Sequence, residues 1–599
     1  MTTMLFAPAR ARAQDSVAAV GRYAPVARVL TAFVEHERSQ KGIPGMSIAL
    51  VDGQRVVWAR GFGWQDSVAG VTATAATVYR VGSVSKLFTD VGIMRLVEKG
   101  TLALDAPIQQ YLPNFHPKNP FGGEITIREL TSHRAGLTRE PPVGNYFDDT
   151  SPSLAATVAS LNTTTLVYKP GTHTKYSNAG IAVLGDVLEQ TQHESFYPYL
   201  ARAVLAPLGM DHSAFQPLPP IVSQLAKAEM WTLDGRRFPA PTFQLGMGPC
   251  GSMYSTVLDL GKFIEVLFAH GRTSSGSQVI ARATIDSMWT PQFAAAGAKT
   301  GYGIGFNLGR LDGHRTVGHD GAIYGFATAL LMLPDDSLGV VVTATLDGVN
   351  AVTDHIAQTA MRLALAERGG KAIASVDTTS PLPSGKALAM AGRYTHGANA
   401  VDLDENEGHL YLTPLRGGSP GELRVMPHAS ADDLVVDDRL DYGEHVTVVG
   451  AGRIRVGDET LTRLATPGSN IVAMAEPEPK PATAEFASLI GEYGWDHDVL
   501  YIRERDGHLD AVIEWFFEYP LERVSRDVYR FPNFGLYDGQ EIEFKRGADG
   551  RATVAIAATV PFKRRALPLD DDHINAKIAP VRSPAELRRD ALAAAPPKE

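Results

Sequence analysis

Residues 84–97 constrain this chain most. Leu87, Phe88, Val91, Met94, Leu96 and Val97 crowd successive turns, so a helix here has almost no face to give to water and must be wrapped by the rest of its domain. A polar pair opens it. A serine three residues ahead of a lysine shares its helix face, which brings Ser83 Oγ and Lys86 Nζ together where Val81-Gly82-Ser83 turns into the helix. A hydroxyl beside a proton acceptor becomes a nucleophile, and apolar surroundings ease a lysine's release of its proton. Lys99-Gly100 supplies the stop. The Ser-x-x-Lys spacing alone decides nothing, because about one or two arise by chance in a long chain of ordinary composition.

With 599 residues the chain exceeds one ordinary domain, and about two to four are expected. A hydrophobic content of 44% with 20% charged residues suits a globular protein. The net charge of -10 gives nucleic acid no electrostatic foothold, and no apolar run is long enough to span a bilayer. The single cysteine, Cys250, excludes an internal disulfide framework and a cysteine-based zinc site. The 17 histidines contain no His-Glu-x-x-His pair, so neither a metal nor another cofactor is expected. Ala11-Arg12-Ala13 before Gln14 resembles a signal-peptidase site, with residues 1–14 as the signal remnant. The expected location is therefore periplasmic or secreted, with the cytoplasm as the alternative.

Pro25 opens an amphipathic helix carrying Val26, Val29, Leu30, Phe33 and Val34, closed by Gly42-Ile43-Pro44-Gly45. Met46 to Val51 and Val56 to Arg60 read as a hairpin around Asp52-Gly53. Helical pattern dominates residues 81–300. A second hairpin, Phe326 to Leu333 and Leu338 to Thr345, precedes a helix from Val352 to Ala366. Strands at both ends with helices between predict an α/β (α+β) domain over 15–370, whose antiparallel sheet is assembled from its two termini. A Ser, Thr and Pro-rich linker follows at 371–387. Beyond it Gly392-Arg393-Tyr394 precedes Gly408-His409-Leu410, and Gly491-Glu492-Tyr493 precedes Gly507-His508-Leu509 at the same offset. This internal repeat predicts two antiparallel β-barrel units of lipocalin-like size, 388–470 and 485–575, separated by a linker at 471–484 and followed by a tail at 576–599. Trp515, Phe516, Phe517 and Tyr519 read as barrel core, and Gly417-Gly418-Ser419-Pro420-Gly421 as a loop, not a nucleophile elbow.

Two further stretches lift Ser83 and Lys86 out of chance. Tyr176 and Asn178 sit two apart in Lys175-Tyr176-Ser177-Asn178, which in an extended loop projects both side chains to one side. Gly318-His319-Asp320-Gly321-Ala322 lies just before a predicted strand, where an oxyanion-binding edge is needed. In this order the three motifs resemble the serine β-lactamase and penicillin-binding-protein superfamily, in particular its branch of class C β-lactamases, DD-carboxypeptidases, D-aminopeptidases and esterases. Supporting motifs are Leu130 to Leu137, Gly248 to Thr256, and Tyr302-Gly303-Ile304-Gly305-Phe306, and the resemblance covers residues 15–368.

The resemblance implies that Ser83 is the nucleophile, Lys86 its proton-handling neighbour and Tyr176 the proton shuttle. Asn178 would bind the substrate amide, while the backbone N–H groups of Ser83 and Ala322, beside Gly321, would form the oxyanion hole. His319 stands where many β-lactamases carry lysine. That departure resembles peptidases, so the expected activity is a peptidase or amidase on a small molecule or short peptide. A carboxylesterase or β-lactamase is the alternative within the fold, and a non-catalytic penicillin- or peptide-binding module the alternative outside enzymes. A homo-oligomer is compatible with the sequence. By resemblance to D-aminopeptidases, Asn533 to Asp538 would form a lid; packing of that turn on its own β-unit is the competing reading.

Overall fold

The computed structural model describes residues 16–565, save for 233–234, 398, 415–416, 429, 431, 465–481, 496–497, 506 and 515. The predicted signal remnant, the tail at 576–599, most of the linker at 471–484 and Trp515 lie outside the described residues. The chain divides into two compact units between Val376 and Asp377, inside the stretch read as a linker.

In the first unit the sheet draws on both ends of the domain. Its strands are β1 (Gly45–Asp52), β2 (Arg55–Asp66), β3 (Val71–Thr72), β4 (Gly301–Tyr302), β5 (Asn307–Leu311), β6 (His314–Ile323), β7 (Phe326–Leu333) and β8 (Leu338–Ala344). They run in the order β3-β2-β1-β8-β7-β6-β5-β4, and the seam between the two ends is the antiparallel pair β1–β8, with Met46 opposite Ala344 and Asp52 opposite Leu338. Alternation along β1 sorts its side chains between two layers. Met46, Ile48 and Leu50 join the core under α1 (Ala24–Gln40) and the last helix of the unit, Asn350–Arg368. Ala49 and Val51 join the larger core on the opposite face.

That larger core holds α2 (Ser85–Glu98), the helix whose composition demanded burial. The polar side chains of its first turns, Ser85, Lys86 and Thr89, are enclosed as well, and one stretch of chain satisfies them. Thr89 Oγ1 donates to the Pro249 carbonyl at 2.8 Å, Lys86 Nζ to the Cys250 carbonyl at 2.8 Å, and Ser85 Oγ accepts from Met253 N–H at 3.0 Å. Pairing buried donors and acceptors this way offsets their desolvation and fixes the helix in rotation as well as depth. Asp90 is the exception, since neither oxygen of its buried carboxyl has a hydrogen-bond partner.

The described residues of the second unit are all-β apart from short helical turns. Its first repeat is a nine-stranded antiparallel sheet in which Gly421–Val425 pairs with both His409–Pro414 and Asp433–Asp437, so the strands return on themselves as a ring. The second repeat comprises a four-stranded and a five-stranded sheet. The sequence repeat is a structural one: Tyr394 OH donates to the Met390 carbonyl at 2.8 Å and Tyr493 OH to the Leu489 carbonyl at 2.5 Å, each in the turn before the first strand of its repeat. Around the expected lid, Tyr537 stacks on Phe531 at 4.9 Å and Phe534 lies parallel to Tyr519 at 6.4 Å, so the turn's aromatic rings are spent on their own unit. Tyr519 is buried there as expected, while Phe517 is only half-buried.

Candidate active site

Ser83 sits in a single 3-10 turn, Gly82–Val84, which feeds directly into α2. Gly82 has a φ of 52°, a left-handed value that suits glycine, and the turn presses against the end of β6. A Cβ on Gly82 would come within 2.6 Å of Ala322 N, and one on Gly321 within 2.0 Å of the Val81 carbonyl oxygen. Both glycines are therefore needed for the Ser83 turn and the β6 backbone to approach so closely. The β5–β6 ladder stops at Gly318 opposite Asn307, which leaves the stretch from His319 onward free of β5 and able to meet that turn. The Gly318 to Ala322 motif thus lies just before the predicted strand Phe326–Leu333, as expected, and is itself part of a strand, β6.

Two side chains converge on the Ser83 hydroxyl oxygen. Ser83 Oγ accepts from Lys86 Nζ at 2.9 Å and from Tyr176 OH at 2.9 Å. Lys86 Nζ also lies 5.0 Å from the centre of the Tyr176 ring. Lys86 is wholly buried, and its second bond, to the Cys250 carbonyl, aims Nζ at the serine. Ser83 and Tyr176 are half-buried and so open to a substrate.

Asn178 departs from the extended-loop expectation. Ser177 caps the helix Asn178–Gln192 by accepting from Gly180 N–H at 3.0 Å, which turns the chain immediately after Tyr176. Asn178 is consequently buried at the first helical position. Its Nδ2 donates to Glu140 Oε1 at 2.6 Å, an oxygen that also accepts from Arg139 at 2.7 Å, and its Oδ1 has no partner. Arg139 and Glu140 escaped the sequence reading because adjacent opposite charges ordinarily mark a solvated loop; here Glu140 is fully buried. The turn residue His133 and the aromatic Tyr302 were read only as parts of supporting motifs.

His319 is nearly buried, and its ring centre is 6.4 Å from that of Tyr176. Its Nδ1 faces the Asp320 carbonyl at 2.6 Å and its Nε2 the Tyr302 hydroxyl at 3.0 Å, so neither nitrogen bonds Ser83, Lys86 or Tyr176. Burial, reinforced by the Lys86 charge, pushes its pKa down to about 4. The same two causes hold His133 well below the usual imidazole range. Both rings are therefore neutral at physiological pH.

The beta-lactamase family model matches residues 26–364. Among curated proteins, "Putative beta-lactamase-like 1" of Homo sapiens is 30% identical over 318 residues, which is 51% of this chain and 61% of that protein. "Protein flp" of Staphylococcus aureus is 26% identical over 334 residues, 54% of this chain and 64% of its own. The chain thus spans about three fifths of the length of these relatives. An octameric penicillin-binding protein homologue from Pyrococcus abyssi superposes with a TM-score of 0.53 at 22% identity, over 82% of this chain and 99% of that one, which supports a shared fold. With a family match that covers more than half the sequence and contains the Ser83 helix, the chain belongs to the beta-lactamase family.

Proposed function

We propose that this protein is a serine hydrolase that works through an acyl-enzyme on Ser83, acting on short peptides or amides in the manner of a D-aminopeptidase or carboxypeptidase. The observation that carries the reading is Ser83 Oγ held at hydrogen-bond distance from both Lys86 Nζ and Tyr176 OH. As Oγ bonds to the substrate carbonyl carbon, its proton passes to the Lys86–Tyr176 pair, which then delivers a proton to the departing amine as the C–N bond breaks. Water attacks the ester so formed, the same pair accepts its proton, and Ser83 Oγ regains one on release. The backbone N–H groups of Ser83 and Ala322, brought close by Gly82 and Gly321, supply the oxyanion hole, each donor being worth about 3 kcal/mol in such sites. Asn178, held by Glu140, hydrogen-bonds the substrate amide in this reading. A histidine in place of the lysine of many β-lactamases favours peptide or amide substrates over penicillins.

Intact-mass analysis after exposure to D-amino-acid amides, p-nitrophenyl esters and penicillin tests both chemistry and preference. A mass increase equal to the acyl group is expected, fastest with the amides and absent in Ser83→Ala. A folded Ser83→Ala protein that is labelled as fast as wild type rules the assignment out. A fast, long-lived adduct with esters alone makes the protein an esterase.

A further inference from the structure

Four hydrogen bonds run in series behind the catalytic groups. Ser177 N–H donates to His133 Nδ1 at 3.2 Å, His133 Nε2 meets Tyr302 OH at 3.1 Å, Tyr302 OH meets His319 Nε2 at 3.0 Å, and His319 Nδ1 meets the Asp320 carbonyl at 2.6 Å. The two ends of this series are backbone groups with no choice of role: an amide N–H only donates and a carbonyl only accepts. Because both imidazoles are neutral, each carries one proton, and the two ends then fix the imidazole protons; the Tyr302 hydroxyl, whose other acceptor is the Gly305 carbonyl at a longer 3.5 Å, then donates to His319 at 3.0 Å. His133 must be protonated on Nε2, Tyr302 must accept from His133 and donate to His319, and His319 must be protonated on Nδ1.

We propose that His133 and Tyr302 are positioning residues that, through this one-directional chain, tie the segment bearing Tyr176 and Asn178 to the β6 backbone bearing Gly321 and Ala322. This rests on the serine-hydrolase reading above, whose proton shuttle and oxyanion strand it links. The chain's anchors are the immediate neighbours of the groups to be held, Ser177 beside Tyr176 and Asp320 beside Gly321. The ring of His133 also packs on that of Tyr176, with centres 4.3 Å apart. His133 reaches this place from a left-handed backbone position, φ 56°, a costly conformation for a residue with a side chain and one that persists where the surroundings demand it. In this arrangement the Nε2 lone pair of His319 is occupied by Tyr302, so His319 serves as the far end of the chain, not as an acid or base toward substrate.

The test reads tautomers in the resting protein, without substrate. Nitrogen-15 spectra of histidine-labelled enzyme, with the two signals identified by their loss in His133→Gln and His319→Gln, should show His133 as the Nε2–H and His319 as the Nδ1–H neutral form. In Tyr302→Phe the His319 signal should move toward a mixture of tautomers, and kcat should fall about tenfold, with KM changed much less, as expected when reacting groups are misplaced. A wild-type His319 protonated on Nε2, or charged at neutral pH, overturns the proposal. So does a Tyr302→Phe protein with unchanged tautomers and unchanged kcat. If the enzyme forms no acyl adduct with any substrate, the hydrolase reading fails while the tautomer pattern can still be read.

Discussion

Lys86 donates to two oxygens, one on the nucleophile and one on a backbone carbonyl, and this double commitment explains why the Ser-x-x-Lys spacing works as a unit with Tyr176. Lys86 and Tyr176 both donate to the Ser83 oxygen and are read as one proton-transfer unit, so Lys86→Met combined with Tyr176→Phe should cost little more in kcat than the worse single change; full additivity would show independent roles. Stability should report the buried titratable groups. For His319 the folded pKa is about 4 against an ordinary 6.5, so the unfolded chain takes up the proton first and stability falls as pH drops from 6.5 toward 4. His319→Gln should flatten that acid limb in a series of thermal melts. Asp90 has the opposite sign. Burial raises its carboxyl well above 3.8, only partly relieved by the Lys86 charge, so the unfolded chain ionises first and stability falls as pH rises above 3.8. Asp90→Asn should therefore gain about 1 kcal/mol relative to wild type at about pH 8 while gaining little at about pH 4, read from denaturant midpoints. Ser83, Lys86 and Tyr176 were legible in the sequence because side-chain identity and spacing carry their chemistry. The Cys250 carbonyl was not, since any residue offers that atom, and Arg139 and Glu140 were hidden because burial has no letter of its own.

Among the elements, the Ser83 turn and β6 form a tight junction. Gly321→Ala should be damaging out of proportion to its size, because the added carbon meets backbone, not a flexible side chain. Overpacking of this kind costs about 1–3 kcal/mol, and a turnover loss much larger than the drop in melting temperature would place the damage at the Ser83–Ala322 approach. The two hairpins and the flanking helices were readable from alternation and from Asp-Gly and Gly-Gly punctuation. Gly318 to Ala322 does precede the predicted strand Phe326–Leu333, but that the motif is itself strand was not legible because glycines depress the strand signal, even though here they are what lets the strand lie against another backbone. Asn178 was misread for a related reason. The Ser177 cap that starts its helix looks, in sequence, like any polar loop residue.

At the scale of the molecule, the first unit has its own two cores on either side of one sheet, and the ring of strands in the second has a core of its own. A chain ending at Val376 should therefore fold cooperatively by circular dichroism and still acquire the Ser83 adduct; an unfolded or unlabelled truncate would show that the first unit needs the second. The doubled Tyr394 and Tyr493 bonds explain why the repeat could be seen in sequence, since the same tyrosine closes the same turn twice. The seam between β1 and β8 has a consequence during synthesis. Met46 leaves the ribosome early, yet its partner Ala344 emerges only after nearly the whole domain has been translated, so for that interval the hairpin of β1 and β2 presents an unpaired apolar edge. Such distant pairing slows folding and exposes the nascent chain to misassociation. Ribosome-bound chains arrested before Leu338 should bind a holdase chaperone and be cut readily by protease, whereas those arrested well beyond Arg368 should resist both. Equal protease sensitivity at the two lengths would show that the sheet does not wait for its last strand.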